Sequence, residues 1–178
     1  MNYPYDNHQQ NDWSENMEFA FRPARPEDIP TAQAIAVRAW EPYFAYRREQ
    51  LGETLFLVEH SDWQADKAGQ IRSNLQGEHG CHAYVVTMGD EIVAFVTFVV
   101  DAAKGLSEIG NNAVDPDYQG RGIGTDQYGR VLEVFREQGM CFARVSTGLD
   151  PAHAPARAAY EKAGFTQFVP QVDYYQEL

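Results

Sequence analysis

The segment Val114-Asp115-Pro116-Asp117-Tyr118-Gln119-Gly120-Arg121-Gly122-Ile123-Gly124-Thr125 passes from strand-like residues through a glycine-rich turn into the start of a helix. Such a junction can cradle an anion. The first amides of a helix have no intrahelical acceptor and stand at its positive end, and glycines remove the bulk that would hold a phosphate away. Without other signals the same run also serves as a plain strand-to-helix turn. Two common phosphate motifs are excluded by spacing. No G-x-x-x-x-G-K-[ST] is present, and glycines at 120, 122 and 124, late in the chain, do not reproduce the G-x-G-x-x-G of a dinucleotide unit.

Other reactive side chains carry less. His79-Gly80-Cys81-His82 lacks a second ligand pair at a finger-like spacing and reads as a turn into a strand, so no metal is expected. Cys81 and Cys141 are the only cysteines and are read as reduced thiols. No histidine or other base has an evident relation to Cys141, which disfavours a covalent acyl-enzyme.

Gln119, Gly122 and Gly124 form Q-x-x-G-x-G, preceded by Ala113-Val114-x-Pro116. Further on, Ala156, Tyr160, Glu161-Lys162 and Gly164-Phe165 form A-x-x-x-Y-E-K-x-G-F. Together these resemble the acetyl-CoA motifs of the GNAT acyltransferases, over roughly Phe19 to the C-terminus and most strongly from Glu108 to Phe165. The resemblance implies acetyl-CoA as co-substrate. It implies that the amides from Gly120 through Thr125, including Arg121 and Ile123, meet the diphosphate. It also implies that a backbone N–H near Asn112 meets the carbonyl oxygen, and that Ala113 and Val114 pair the pantetheine arm like an added strand. Gln119, His153 and Ala156 complete the expected cofactor contacts, with His153 standing where the family usually has Asn. Tyr160 matches the tyrosine that protonates the departing thiolate. Glu108 precedes Val114 at the spacing of the catalytic glutamate in the histone-acetylating branch of the family.

The implied activity is acetyl transfer to a primary amine on a small molecule, peptide or protein, by direct attack in a ternary complex. An acyl-CoA-binding sensor without turnover is the alternative. The implied fold is α/β: a mixed, twisted, mostly antiparallel sheet with a splayed central strand pair and helices on both faces.

The elements that must position these groups can be read from hydrophobic period. Residues 1–18 have no period and read as a flexible extension, leaving 19–178 as one domain. Phe19–Arg22 alternates as a first strand. Asp28 and Pro30 open a helix carrying Ala32, Ile35, Ala36, Ala39 and Trp40, expected to end near Glu41-Pro42. Residues 43–76 read as helical pieces broken at Gly52, with a capping box at Ser61 and Gln64 and a face marked by Lys67, Ile71 and Leu75. His82–Thr87 and Ile92–Val100 form a hairpin through Met88-Gly89-Asp90-Glu91, and Leu106–Val114 follows as a strand.

Ile123, Gln127, Val131 and Phe135 mark a helix ended by Gly139. Cys141–Thr147 reads as a strand, Ala154–Ala163 as a helix, and Phe165–Val169 and Val172–Gln176 as two final strands. Asn111-Asn112 would send one amide toward a core, which a bulge would relieve. Glu108 and Asn112 share a face only if no bulge separates them.

Composition bounds the rest. At 178 residues with 44% hydrophobic content the chain suits one globular domain. A net charge of −12 disfavours nucleic acid as a partner and is compatible with a cationic amine. No apolar run approaches the roughly 18 residues of a membrane helix and the N-terminus has no signal pattern, so no membrane association and a cytoplasmic location are expected. Trp40, Tyr43, Phe44, Tyr46 and the Arg47-Arg48-Glu49 run lie where the family's first helices wall the acceptor cleft, and Tyr174 and Tyr175 lie in the last expected strand. They read equally as pocket walls and as core or homodimer contacts.

Overall fold

The computed structural model describes residues 19–178, and the extension expected over residues 1–18 lies outside them. Five strands form one sheet in sequence order: β1 (Phe19–Pro23), β2 (His82–Met88), β3 (Glu91–Asp101), β4 (Leu106–Val114) and β5 (Phe142–Val145). The first three pairings are antiparallel and β4–β5 is parallel. Four helices cover the faces: α1 (Ile29–His60), α2 (Trp63–Leu75), α3 (Ile123–Glu137) and α4 (Ala154–Lys162).

The period-two pattern of β3 explains the two layers. Phe95 packs with Ala32, Ile35 and Ala36 of α1, Ile71 of α2, Val85 and Ala113. Its neighbours Val96 and Phe98 face the other way, onto Tyr128, Val131 and Phe135 of α3 and Tyr160 of α4. Successive strand side chains point to opposite faces, so a strand apolar on both sides must lie between two layers.

Two features of β4 shape the site. Opposite the two steps from Val96 to Phe98 on β3, β4 takes three, from Asn112 back to Ile109. The extra residue is the bulge that the adjacent asparagines called for. Asn111 then reaches Lys67 of α2 while Asn112 reaches Tyr128 of α3 and Tyr160 of α4, so the two amides serve opposite faces. In addition, β5 pairs with β4 only from Leu106↔Phe142 to Ile109↔Val145. Beyond that point β4 runs on to Val114 with one edge unpaired.

Four expectations are corrected. The first helix does not end at Pro42 but continues through it to His60, its break falling at Gly52 (φ 72°). Losing one N–H is tolerated because the helix is held on both sides of Pro42, by Ile35 and Ala36 on the sheet and by Phe44 against Phe56 and Trp63. α2 is capped by Asp62, whose carboxylate accepts from the Ala65 amide at 3.4 Å, and not by a Ser61–Gln64 box. The strand expected over Cys141–Thr147 is confined to Phe142–Val145.

Residues 165–178 form neither of the two final strands expected. Phe168, Val169, Val172 and Tyr174 are exposed and pair with no neighbouring strand, and an apolar alternation unsupported by an adjacent edge does not hold a strand. What anchors this segment is polar: the Tyr175 hydroxyl accepts from Arg47 at 2.9 Å and donates to Glu59 at 3.1 Å.

Among the described residues no helix is long and apolar enough to cross a membrane.

Candidate active site

A cavity of about 730 Å³ opens where β4 and β5 part. Its walls come from α1 (Trp40, Tyr43), the free stretch of β4 (Asn111, Asn112, Ala113, Val114), the glycine turn with the start of α3, and α4 with the turn before it (His153, Ala156, Tyr160). Glu108, Gln119, Gly120, Gly122, Ile123, Gly124 and Thr125 line it as well. Motif residues from Glu108 to Tyr160 therefore meet around one space, while Arg121 turns away, donating to the Asp117 carbonyl at 3.0 Å and lying over the Tyr118 ring.

The glycine turn is open in the way an anion needs. Gly120 and Gly122 hold φ of 77° and 82°, the left-handed region that glycine enters without penalty, and a Cβ built on either would meet nothing within 4 Å. Gly122 is the N-cap of α3 and brings no capping side chain, so the first amides of the helix keep their hydrogen-bonding capacity. A diphosphate fits this cradle by the chemistry of its donors: backbone N–H groups and a helix dipole directed at negative charge. Gly124 differs in having close neighbours. A Cβ there would make ordinary contact, 3.8 Å from Val114 Cγ2 and 4.0 Å from both Ala159 Cβ and Tyr128 Cε2, so the position admits a small side chain and the added methyls of Gly124→Val would press on α3 packing as well as on the anion site. The Gln119 side chain donates to the Val114 carbonyl at 3.2 Å, tying the turn to the strand end.

At the other end of the cavity Asn112 organises two tyrosines. Its Nδ2 lies 2.9 Å from the Gly110 carbonyl, which can only accept, so the amide orientation is fixed. Oδ1 receives the Tyr128 hydroxyl at 2.6 Å, and the second Nδ2 proton goes to the Tyr160 oxygen at 3.2 Å. The Tyr160 hydroxyl proton is held only weakly: it points to Oδ1 at 3.4 Å, long for an O–H···O bond, on the oxygen that already accepts the closer Tyr128 hydroxyl. Burial pushes the Tyr160 phenol above its ordinary value, against a smaller opposing effect of its hydrogen bonds, so at neutral pH it is a proton donor. Burial raises Tyr128 also.

Glu108 does not join this group. It alternates with Ile109, which packs onto α3, and the bulge puts it on the face opposite Asn112. Its carboxylate accepts from Arg144 of β5 at 2.5 Å.

Lys67 was legible only as one position of a helical face. Its ammonium lies 4.5 Å over the Trp40 ring and donates to Asn111 Oδ1 at 3.2 Å and Gln70 Oε1 at 2.8 Å. Burial lowers its pKa from 10.5 to about 8. A lysine whose folded pKa lies below its unfolded one costs stability wherever it must be charged: the cost is full below about pH 8 and gone above about 10.5. Lys67→Met is accordingly expected to raise the melting temperature at pH 7, and the gain should shrink between about pH 8 and 10.5. Melting curves of both proteins at pH 7 and 10.5 check this, and a pH-independent difference would contradict it.

Among the described residues no three His, Cys, Asp or Glu side chains are grouped to share a metal ion.

A mixed sheet that parts between two parallel strands, beside a glycine-opened helix start, defines an acyl-CoA-dependent acetyltransferase architecture. A sequence model of the acetyltransferase (GNAT) family matches residues 35–165, and the chain belongs to that family. Within 76 residues it is 42% identical to a mycothiol acetyltransferase of Beutenbergia cavernae, a match spanning 43% of this chain and 24% of that protein. Its fold is similar to that of the PaiA N-acetyltransferase of Thermoplasma acidophilum in complex with coenzyme A (TM-score 0.67, 15% identity, covering 88% of this chain and 94% of that one). It is similar also to the ribosomal-protein-S18-alanine N-acetyltransferase of Escherichia coli (TM-score 0.64, 20% identity, covering 90% and 85%).

Proposed function

We propose that the protein moves an acetyl group from acetyl-CoA to a primary amine by direct attack in a ternary complex. The observation that carries this is an uncapped α3 N-terminus and a weakly held Tyr160 proton on one cavity between parted strands. In this reading the amides of Gly120 through Thr125 hold the diphosphate. The unpaired edge of β4 from Asn112 to Val114 takes the pantetheine arm as a further strand. A backbone N–H near the bulge receives the negative charge that builds on the carbonyl oxygen. Tyr160 gives its proton to the leaving sulfur, where a group with a high pKa is useful because thiolate charge develops late. Acetyl-CoA, when bound, supplies the activated acyl group, and the chain supplies orientation and proton transfer.

The names of the relatives include N-acetyltransferases, which favours an amine acceptor. Incubation with acetyl-CoA and an amine panel (a peptide beginning with alanine, an aliphatic diamine and glucosamine), with thiol release and acetylated product both measured, tests the proposal. Acetylated amine in step with free thiol supports it. Tight acetyl-CoA binding without transfer to any of them would assign the protein to non-catalytic sensing instead.

A further inference from the structure

We infer that His153, held by Asp150, accepts the proton of the attacking amine. This rests on the acetyl-transfer reading above and adds the base that reading lacks. Asp150 caps the short 3-10 turn Pro151–His153 that leads into α4. Its Oδ1 accepts the His153 amide at 3.1 Å and its Oδ2 lies 2.6 Å from His153 Nδ1. Burial alone would push the Asp150 carboxyl up, but the hydrogen bonds from His153 outweigh it and hold the carboxyl below its usual range, so Asp150 is ionised and can only accept. Nδ1 must therefore carry a proton, and in the neutral ring Nε2 keeps its lone pair.

The carboxylate is sealed at 8% side-chain exposure while the ring keeps 24% and lines the cavity that Tyr160 and Asn112 line.

The surroundings fit the pair. A Cβ on Gly148 would collide with Asp150 Oδ2 and stand 2.9 Å from His153 Nδ1, so the missing side chain is what admits the dyad. Arg157 of α4 clamps the turn from below, donating to the carbonyls of Gly148 at 2.6 Å and Asp150 at 2.8 Å. From α1 the Tyr43 ring meets His153 edge-on at 4.9 Å. Burial raises the Tyr43 phenol above its ordinary value, so it stays neutral, with Arg47, Asp173 and Tyr175 as its further charged or titratable neighbours. Glu108, by contrast, already has Arg144 as its partner.

The step balances. The amine nitrogen bonds to the thioester carbonyl carbon, its proton passes to His153 Nε2, and the C–S bond breaks as Tyr160 gives its proton to sulfur. Solvent then takes the proton from His153 and restores that of Tyr160.

The experiment compares parent, His153→Asn, Asp150→Asn and Glu108→Gln. Its readouts are acetyl-CoA affinity by calorimetry, kcat/KM against pH for each panel amine, and the ring resonances of His153 titrated by NMR. Asn is the residue the family usually has here. A histidine that only contacts the cofactor would therefore be replaced with little loss, whereas loss of a general base should lower turnover by roughly 10²–10⁴ with acetyl-CoA affinity kept. In the parent the acid limb of kcat/KM should follow the His153 titration. Asp150→Asn removes the carboxylate that holds the Nδ1–H tautomer, so turnover should fall in the same direction as in His153→Asn with acetyl-CoA affinity kept. Glu108→Gln should keep the parent limb. A His153→Asn protein with parental rate and limb, or a limb that ignores the His153 titration, overturns the dyad while transfer itself continues. Absence of transfer to every amine by the parent with acetyl-CoA bound overturns the acetyl-transfer reading, and the dyad's role with it.

Discussion

Tyr160→Phe should lower turnover by roughly 10²–10⁴ while acetyl-CoA affinity stays close to that of the parent. The substitution removes one oxygen and keeps the ring, which is buried and packed 4.7 Å centroid to centroid from Tyr128. It leaves one Asn112 Nδ2 proton without its acceptor, a loss of about 0.5–1.5 kcal/mol in stability. That is too small to unfold a domain and far too small to account for the expected rate loss. Single-turnover acetyl transfer measures the chemical step, and calorimetry with coenzyme A measures binding. Because the missing group acts only as the C–S bond breaks, kcat and kcat/KM should fall together. A Tyr160→Phe protein with near-parental turnover would remove Tyr160 from the mechanism and leave solvent as the proton source.

Gly122→Val should weaken coenzyme A binding by roughly 10- to 100-fold, the equivalent of one hydrogen bond to a charged group, about 1.5–3 kcal/mol. At φ 82° a β-branched residue is strained by roughly 1–2 kcal/mol, so a loss of thermal stability is expected too. The two effects separate by comparison with Gly89→Val. Gly89 sits in the β2–β3 turn at φ 59°, also with open space where its Cβ would go, but away from the cavity. Both variants should lose similar stability, and only Gly122→Val should lose coenzyme A affinity. Unchanged affinity in a folded Gly122→Val protein would take the glycine turn out of the cofactor site.

Local order carried much of the fold into the sequence. The alternation of β2 and β3 around Gly89-Asp90, the α3 stripe of Ile123, Gln127, Val131 and Phe135, and the left-handed glycines are dictated by residues close in the chain, and they form where the pattern puts them. The bulge in β4 was legible for the same reason: neighbouring Asn111 and Asn112 cannot both be satisfied in a regular strand. Where a local signal was outweighed, packing did it. Pro42 should stop a helix, yet apolar residues before and after it are buried against different partners and carry α1 past the lost hydrogen bond. The alternating residues 165–178 should make strands, but they pair with no strand of the sheet, and a segment without such a partner is not held as a strand.

The cavity divides the same way. The glycines and the strand leading into the turn announce themselves by type and spacing, since an anion site needs open backbone amides, whereas Tyr160 stands out only by its place in a motif that resembles the family's. The sequence by itself thus determined the β2–β3 hairpin, the α3 helix and the open glycine turn before it. Only the tertiary structure decided what those groups face. It tied Glu108 to Arg144 across the β4–β5 pair, set Lys67 over Trp40, and brought His153 and Asp150 together in the space that Gly148 leaves. Ion pairs, desolvation and close approach depend on distances between chain segments, and those distances exist only once helices from opposite faces have closed on the sheet.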